Sequence, residues 1–260
     1  MTPDDPAGEP FPEQPFLTHL IELRARLLRC LWAVGILLVP LTVFANRLFS
    51  ILAAPMLAKL PIGNSLIATQ VVTPFLTPFK LATVTAVFLA MPYLLWQAWS
   101  FVAPGLYQHE KRFAYPMLVM SVALFYLGVA FAFFIALPIT FGFITRTAPH
   151  GVAVMTDIAS YLDFTLTVFF AFGLAFQIPV LTVLLAWTGI TTPQAMARAR
   201  PYVLVGAFTV GMLLTPPDVF SQTLLALPTY LLYELGIVLA RFMVPGAREV
   251  DAQRQDSKTS

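Results

Sequence analysis

Long apolar runs separated by short polar or proline-rich clusters fall near residues 30–46, 81–102, 115–138, 164–187, 202–214 and 219–240. An uncharged run of about 20 residues is what a helix needs to cross roughly 30 Å of hydrocarbon, because no water there can satisfy an open backbone. The pattern therefore predicts an all-α integral membrane protein of six transmembrane helices, with both termini on one side. Ahead of the first run, the apolar positions 17, 20, 21, 27, 28 and 31 follow helical spacing, which predicts a membrane-surface helix leading into helix one.

The fifth run is the exception, since Tyr202 to Leu214 is 13 residues, or about 20 Å at about 1.5 Å per residue. Only Thr215-Pro216-Pro217-Asp218 separates it from the sixth, so helices five and six form a short hairpin that stops below the outer headgroups or thins the bilayer. Pro40, Pro92, Pro138, Pro179 and Pro228 sit inside or at the ends of five predicted helices and should curve the bundle. The segments 47–79 and 139–163 are long enough to form structured caps. Residues 1–15 hold Asp4, Asp5, Glu9 and Glu13 among prolines and are expected to be a disordered cytoplasmic tail. The membrane domain then covers 16–244, and 245–260 is expected to be a second disordered tail.

Charge placement orients the bundle. With the termini inside, the inner side carries Arg24, Arg26, Arg29, Lys111, Arg112, Arg198, Arg200, Arg241, Arg248, Arg254 and Lys258, and the outer side Arg47, Lys59, Lys80 and Arg146. Eleven against four follows the positive-inside rule. Trp32, Trp96, Trp99 and Trp187 then all fall at cytoplasmic helix ends, where an indole is half wet. Composition agrees with a membrane solvent: 58% of the 260 residues are hydrophobic and 11% charged, about half the charged share of a soluble domain. A net charge of +2 argues for no nucleic-acid partner. The lone Cys30 permits no internal disulfide and reads as a buried packing residue.

The chain lacks a nucleotide-binding G-x-x-x-x-G-K-[ST] loop, and His109-Glu110 has no second histidine to complete a zinc pattern. No catalytic group, metal site or cofactor is expected. What remains is a binding surface. Between residues 16 and 240 only Glu22, Glu110 and Glu234 place carboxylates on the inner side. Glu22 lies in the surface helix, where pairing with Arg26 one turn on is its structural alternative. Glu110 lies between helices two and three. Two carboxylates at a membrane surface suit a partner presenting arginines, whose guanidinium forks they accept bidentately. Gln177 stands mid-membrane in helix four, where an amide must be hydrogen-bonded or wetted, and it cannot carry a proton. Glu234 should snorkel or pair with a cation, Asp218 should cap helix six, and Asp157 and Asp163 read as caps of helix four.

Several stretches together are distinctive: His19-Leu20-Ile21-Glu22-Leu23-Arg24, Phe101-Val102-Ala103-Pro104-Gly105-Leu106-Tyr107 with His109-Glu110-Lys111-Arg112, Thr156-Asp157-Ile158-Ala159-Ser160-Tyr161, Arg200-Pro201-Tyr202-Val203-Leu204-Val205-Gly206-Ala207-Phe208, and Gly211 to Gln222 around Pro216-Pro217-Asp218. From Phe16 to Val244 the chain resembles the TatC subunit of twin-arginine translocases. The resemblance implies a receptor for the signal peptides of folded precursors, driven by the proton-motive force in the bacterial cytoplasmic (inner) membrane. It implies that Glu22 and Glu110 bind the arginine pair, with Leu20, Arg24, Phe101, Lys111 and Arg112 shaping the surface. It further implies contact of single-span TatB and TatA subunits along Met212, Leu213, Thr215, Gln222 and Leu225, a structural role for Pro55, and homo-oligomers within a larger complex. Many members carry glutamate where this chain has Gln177; hydrogen bonding, not ionisation, is then the shared requirement. A small-solute transporter and a purely structural scaffold are the rival readings. The first is disfavoured by the missing inverted repeat and the lack of paired ionisable groups at midplane.

Overall fold

A computed structural model describes residues 14–57, 67–102, 111–147, 157–214 and 219–243. Ten helices are described: α1 (Gln14–Val43), α2 (Ala45–Leu57), α3 (Thr73–Val102), α4 (Lys111–Phe131), α5 (Leu137–Thr147), α6 (Ile158–Ala175), α7 (Ile178–Trp187), α8 (Pro193–Arg198), α9 (Arg200–Leu214) and α10 (Val219–Met243). A π-helical turn, Ala132–Ala136, joins α4 to α5. Among the described residues there is no strand, only an isolated parallel bridge between Ile67 and Asp157.

Five stretches are long and apolar enough to cross a membrane: Leu20–Val43, Thr73–Phe101, Tyr115–Ile144, Ile158–Trp187 and Val219–Met243. The sixth predicted span is α9, which begins slightly earlier than expected but stays at 15 residues, about 22 Å. The surface helix and helix one are not separate. They fuse into the 30 residues of α1, about 45 Å and so longer than the hydrocarbon alone requires.

The prolines divide into two groups. Pro179 follows a break at Phe176–Gln177 that separates α6 from α7, and Pro138 follows the π-helical turn. Pro40, Pro92 and Pro228 instead lie within continuous helices. A proline leaves the carbonyl four residues earlier without its helical donor. For Pro92 that carbonyl belongs to Phe88, and the Tyr126 hydroxyl of α4 donates to it at 2.9 Å. The bend in α3 is thus satisfied from a neighbouring helix, as an apolar solvent demands.

The α6–α7 pair forms the centre: 67% of its apolar window is buried, whereas none of the window in α1 is. One cluster joins α6 to α2, α3, α4 and α10 through residues such as Leu52, Leu81, Leu162, Phe172 and Leu225. A second joins α7 to α3, α8 and α10 through Trp99, Val183, Met196 and Ile237. Close approach relies on small residues. A Cβ added to Gly236 in α10 would fall on Thr182 Oγ1 and lie 2.9 Å from Pro179 Cα of α7.

The segments that precede α3 and α6 meet. The Ile158 amide donates to the Ile67 carbonyl at 2.9 Å, and the Tyr161 hydroxyl donates to the Leu52 carbonyl of α2 at 2.7 Å. Asp157 caps α6 as expected, accepting from the Ala159 and Ser160 amides at 3.1 Å each. Its other oxygen accepts from the Thr69 amide at 3.1 Å and hydroxyl at 2.9 Å. The Thr69 amide first, then that of Ser160, hold the Asp157 carboxyl below the usual aspartate range. Asp163 is not a cap: it pairs with Lys80 of α3. Cys30 departs from expectation too, being half-buried because α1 has so little packed surface. Trp32 and Trp96 are exposed, but Trp99 is buried rather than half wet, since it packs between α3 and α7. Asp218 lies outside the described residues, as do both expected tails apart from Gln14 and Pro15 at the start of α1.

Candidate functional site

Helix α1 packs along α3, and Arg26, one turn from Glu22, meets the last turns of that helix. Glu22 and Arg26 are one helical turn apart, the spacing at which side chains meet. Arg26 Nε and Nη2 both donate to Glu22 Oε1, at 3.0 and 2.6 Å. Isolated on a helix surface such a pair stabilises by about 0.3–0.5 kcal/mol. This one is not isolated. Arg26 Nη1 donates to Gln97 Oε1 at 3.1 Å, and Nη2 donates to the Ser100 carbonyl at 3.2 Å. Ser100 is two residues from the end of α3, so its carbonyl is one of those a helix end leaves without a partner, and a cation there is favourable. Gln97 Nε2 donates in turn to the Tyr93 hydroxyl at 2.8 Å. Arg26 keeps 18% of its side chain exposed and Glu22 keeps 40%. The cation is drawn inward and the carboxylate stays at the surface.

Around it, Leu20, Ile21 and Arg24 are exposed on α1, and Phe101 follows Ser100 in the last turn of α3. Lys111 and Arg112 open α4, and Glu110 lies outside the described residues. The charge pairing of Glu22 with Arg26 is readable from spacing. The anchoring by Gln97, Ser100 and Tyr93 is not, although a buried glutamine one turn from a tyrosine in an apolar helix was an available signal.

Gln177 is hydrogen-bonded as its cost of burial requires. Its Nε2 donates across to the Ser121 carbonyl of α4 at 2.9 Å, and the Ser121 hydroxyl accepts from Trp99 Nε1 at 3.0 Å. The amide is thus satisfied by a neighbouring helix.

At the α9–α10 hairpin, Met212 and Leu213 are exposed, Gln222 is half-buried, and Thr215 lies outside the described residues. Leu225 is 5% exposed and belongs to the core. It also lines an apolar pocket of about 420 Å³ with Leu174, Ile178, Val203, Ala207 and Thr229, between α6–α7 and the hairpin. Arg200 and Glu234 join α9 to α10 by an ion pair, in which Nη2 donates to Oε2 at 2.8 Å and Nε lies 2.6 Å from Oε1. Glu234 is therefore paired rather than snorkelling. Pro55 falls in α2. Among the described residues no three histidine, cysteine or carboxylate side chains gather where they could hold a metal.

Residues 18–228 match the family model described as Sec-independent protein translocase protein (TatC). The chain belongs to the TatC family. It is 54% identical to the TatC protein of Haemophilus influenzae over 243 residues, covering 94% of this chain and 95% of that one. It is likewise 54% identical to that of Escherichia coli over 235 residues, covering 90% and 91%. A crystal structure described as the twin arginine translocase receptor TatC superposes with a TM-score of 0.78 at 37% identity, covering 86% of this chain and 98% of that one. As a TatC protein the chain is a multi-pass membrane component of a Sec-independent protein translocase, a transport protein and not an enzyme. Its helical fold is that of the solved TatC structure.

Proposed function

We propose that this TatC protein is the receptor of its translocase, and that Glu22 receives a signal-peptide arginine at the cytoplasmic face of the bacterial inner membrane. The observation that carries the reading is the state of the Glu22 carboxylate. Both described bonds from Arg26 end on Oε1, and the side chain remains partly exposed at the start of a span. A carboxylate oxygen has further acceptor capacity, so among the described residues Oε2 is left available to an incoming guanidinium. Glu110 is the second carboxylate of this proposal, and Leu20, Arg24, Phe101, Lys111 and Arg112 are assigned to shaping the surface. Exposed Leu20, Ile21 and Trp96 offer apolar surface for the hydrophobic stretch that follows the arginines.

In this reading both termini are cytoplasmic, and Met212, Leu213, Thr215 and Gln222 lie where single-span TatB and TatA dock. Leu225 contributes from within, as a wall of the apolar pocket beneath the hairpin. Several copies assemble into the working complex, and the proton-motive force supplies the energy for export of folded precursors.

The test is photocrosslinking of a twin-arginine precursor to positions 20 and 101 of the full chain in membranes, which leaves both glutamates in place. Strong crosslinks are expected, and replacing Glu22 and Glu110 by alanine should abolish them. Loss of one charge-assisted hydrogen bond is worth about 1.5–3 kcal/mol, which is ten-fold or more in affinity. Undiminished crosslinking in the double variant would leave a scaffold, and solute flux through the purified chain would leave a transporter.

A further inference from the structure

Arg26 is a basic residue inside the surface that the receptor reading assigns to basic ligands. An arginine four residues from Glu22 could fold its fork over both carboxylate oxygens and neutralise the site. It does not do so here, and the reason lies in α3. Of the five N–H groups of a guanidinium, those on Nη1 go to Gln97 Oε1 at 3.1 Å and to the Gln97 carbonyl at 3.5 Å, and one on Nη2 goes to the Ser100 carbonyl at 3.2 Å. The donors left on the near edge, from Nε and Nη2, both end on Glu22 Oε1. Gln97 is itself fixed: it is 4% exposed and its Nε2 is committed to the Tyr93 hydroxyl at 2.8 Å.

We infer that Gln97, backed by Tyr93, is a positioning residue for ligand arginines, holding Arg26 on α3 so that Glu22 offers Oε2 in one fixed orientation. Gln97 touches no ligand; it acts through Arg26. The inference rests on the receptor reading of Glu22 and names what gives that reading selectivity. A carboxylate held in one rotamer can accept two N–H groups from a guanidinium in a set geometry. A mobile one attracts any cation, and an ammonium is a point charge that gains little from orientation. Fixing the acceptor by packing and by hydrogen bonds to its neighbour is how a recognition geometry is held to a fraction of an ångström.

The test measures affinity of the full chain in lipid nanodiscs for a fluorescent twin-arginine signal peptide and for the same peptide with both arginines changed to lysine. In Gln97→Leu, Arg26 loses the one side-chain acceptor it has on α3 and keeps only the Gln97 and Ser100 carbonyls. The arginine peptide should then bind about three- to ten-fold more weakly, the range one hydrogen bond spans, while the lysine peptide changes less than about two-fold, so the preference narrows. Gln97→Glu keeps an acceptor at the same place and should restore the preference. Tyr93→Phe, which removes only one hydroxyl, should show a smaller narrowing and serves if Gln97→Leu does not fold. An unchanged preference in Gln97→Leu or Tyr93→Phe, or a Gln97→Glu variant as impaired as Gln97→Leu, overturns the inference. Glu22→Gln separates the two claims. If it loses binding while Gln97→Leu keeps its preference, the positioning role alone falls; if it binds like the parent, the receptor reading falls with it.

Discussion

Helix α1 and the α6–α7 pair are both apolar enough to cross a membrane, yet none of the apolar window of α1 is buried by the rest of the chain and 67% of that of α6–α7 is. Hydropathy answers what solvent a helix meets, not what it packs against. The central pair is held by interdigitated aromatics, small residues and a buried amide bond between helices. Among the described residues the peripheral helix packs along α3 alone of the long helices, where Arg26 donates to three acceptors, the Gln97 side chain and the Gln97 and Ser100 carbonyls. One region is specified by shape and the other by a polar clasp.

Substitutions that add a single methyl group should break the first region most. Gly236→Ala puts a Cβ 2.9 Å from the Pro179 Cα and onto Thr182 Oγ1, whose hydroxyl donates to the Pro179 carbonyl at 2.8 Å. Neither the backbone nor that bond can move freely, so a loss of about 1–3 kcal/mol is expected, read by a detergent-unfolding titration. A loss below about 0.5 kcal/mol, the size of an ordinary surface change, would mean that α7 and α10 slide apart easily.

A smaller, conditional effect belongs to the strap that ties the start of α6 to residues 67–69. Because the Thr69 and Ser160 amides depress the Asp157 pKa, the link is fully present above the ordinary aspartate value. It is lost as pH falls through the depressed folded value. The thermal midpoint should therefore be flat near neutrality and drop in that acid range, and the Asp157→Asn chain should lack this part of the drop while keeping a cap. An equal acid drop in both chains would assign the effect to other carboxylates.

The smallest change is expected on the exposed face of α1. Leu31→Ala removes a side chain that is 68% exposed, so folding stability should shift by no more than about 0.5 kcal/mol. A larger loss in the isolated chain would show that α1 packs against more than α3.

The same contrast explains what was readable in the sequence. Six apolar runs, the shortness of α9, the Asp157 cap and the Glu22–Arg26 spacing are all local patterns of periodicity or of a few residues. Arg26 and Gln97 are 71 residues apart, and Thr69 and Asp157 are 88 apart. Pairings of that kind depend on how helices cross, which no local pattern encodes. Asp163 illustrates the error this produces: its position beside Asp157 suggested a cap, and only the approach of α3 supplies Lys80 as its partner. The π-helical turn has no local signal because it sits inside a continuous apolar run, and α2 begins at the Arg47 boundary within a segment expected only to form a structured cap.

Tyr126 gives the bend in α3 a second owner. Its phenolic proton answers a carbonyl that Pro92 has stripped of its usual donor, so the proline in one helix and the tyrosine in another behave as a single hereditary unit. Exchange of the proline alone would turn the phenol loose inside lipid, and exchange of the tyrosine alone would strand a bare carbonyl there. Substitution at the two sites should therefore travel together.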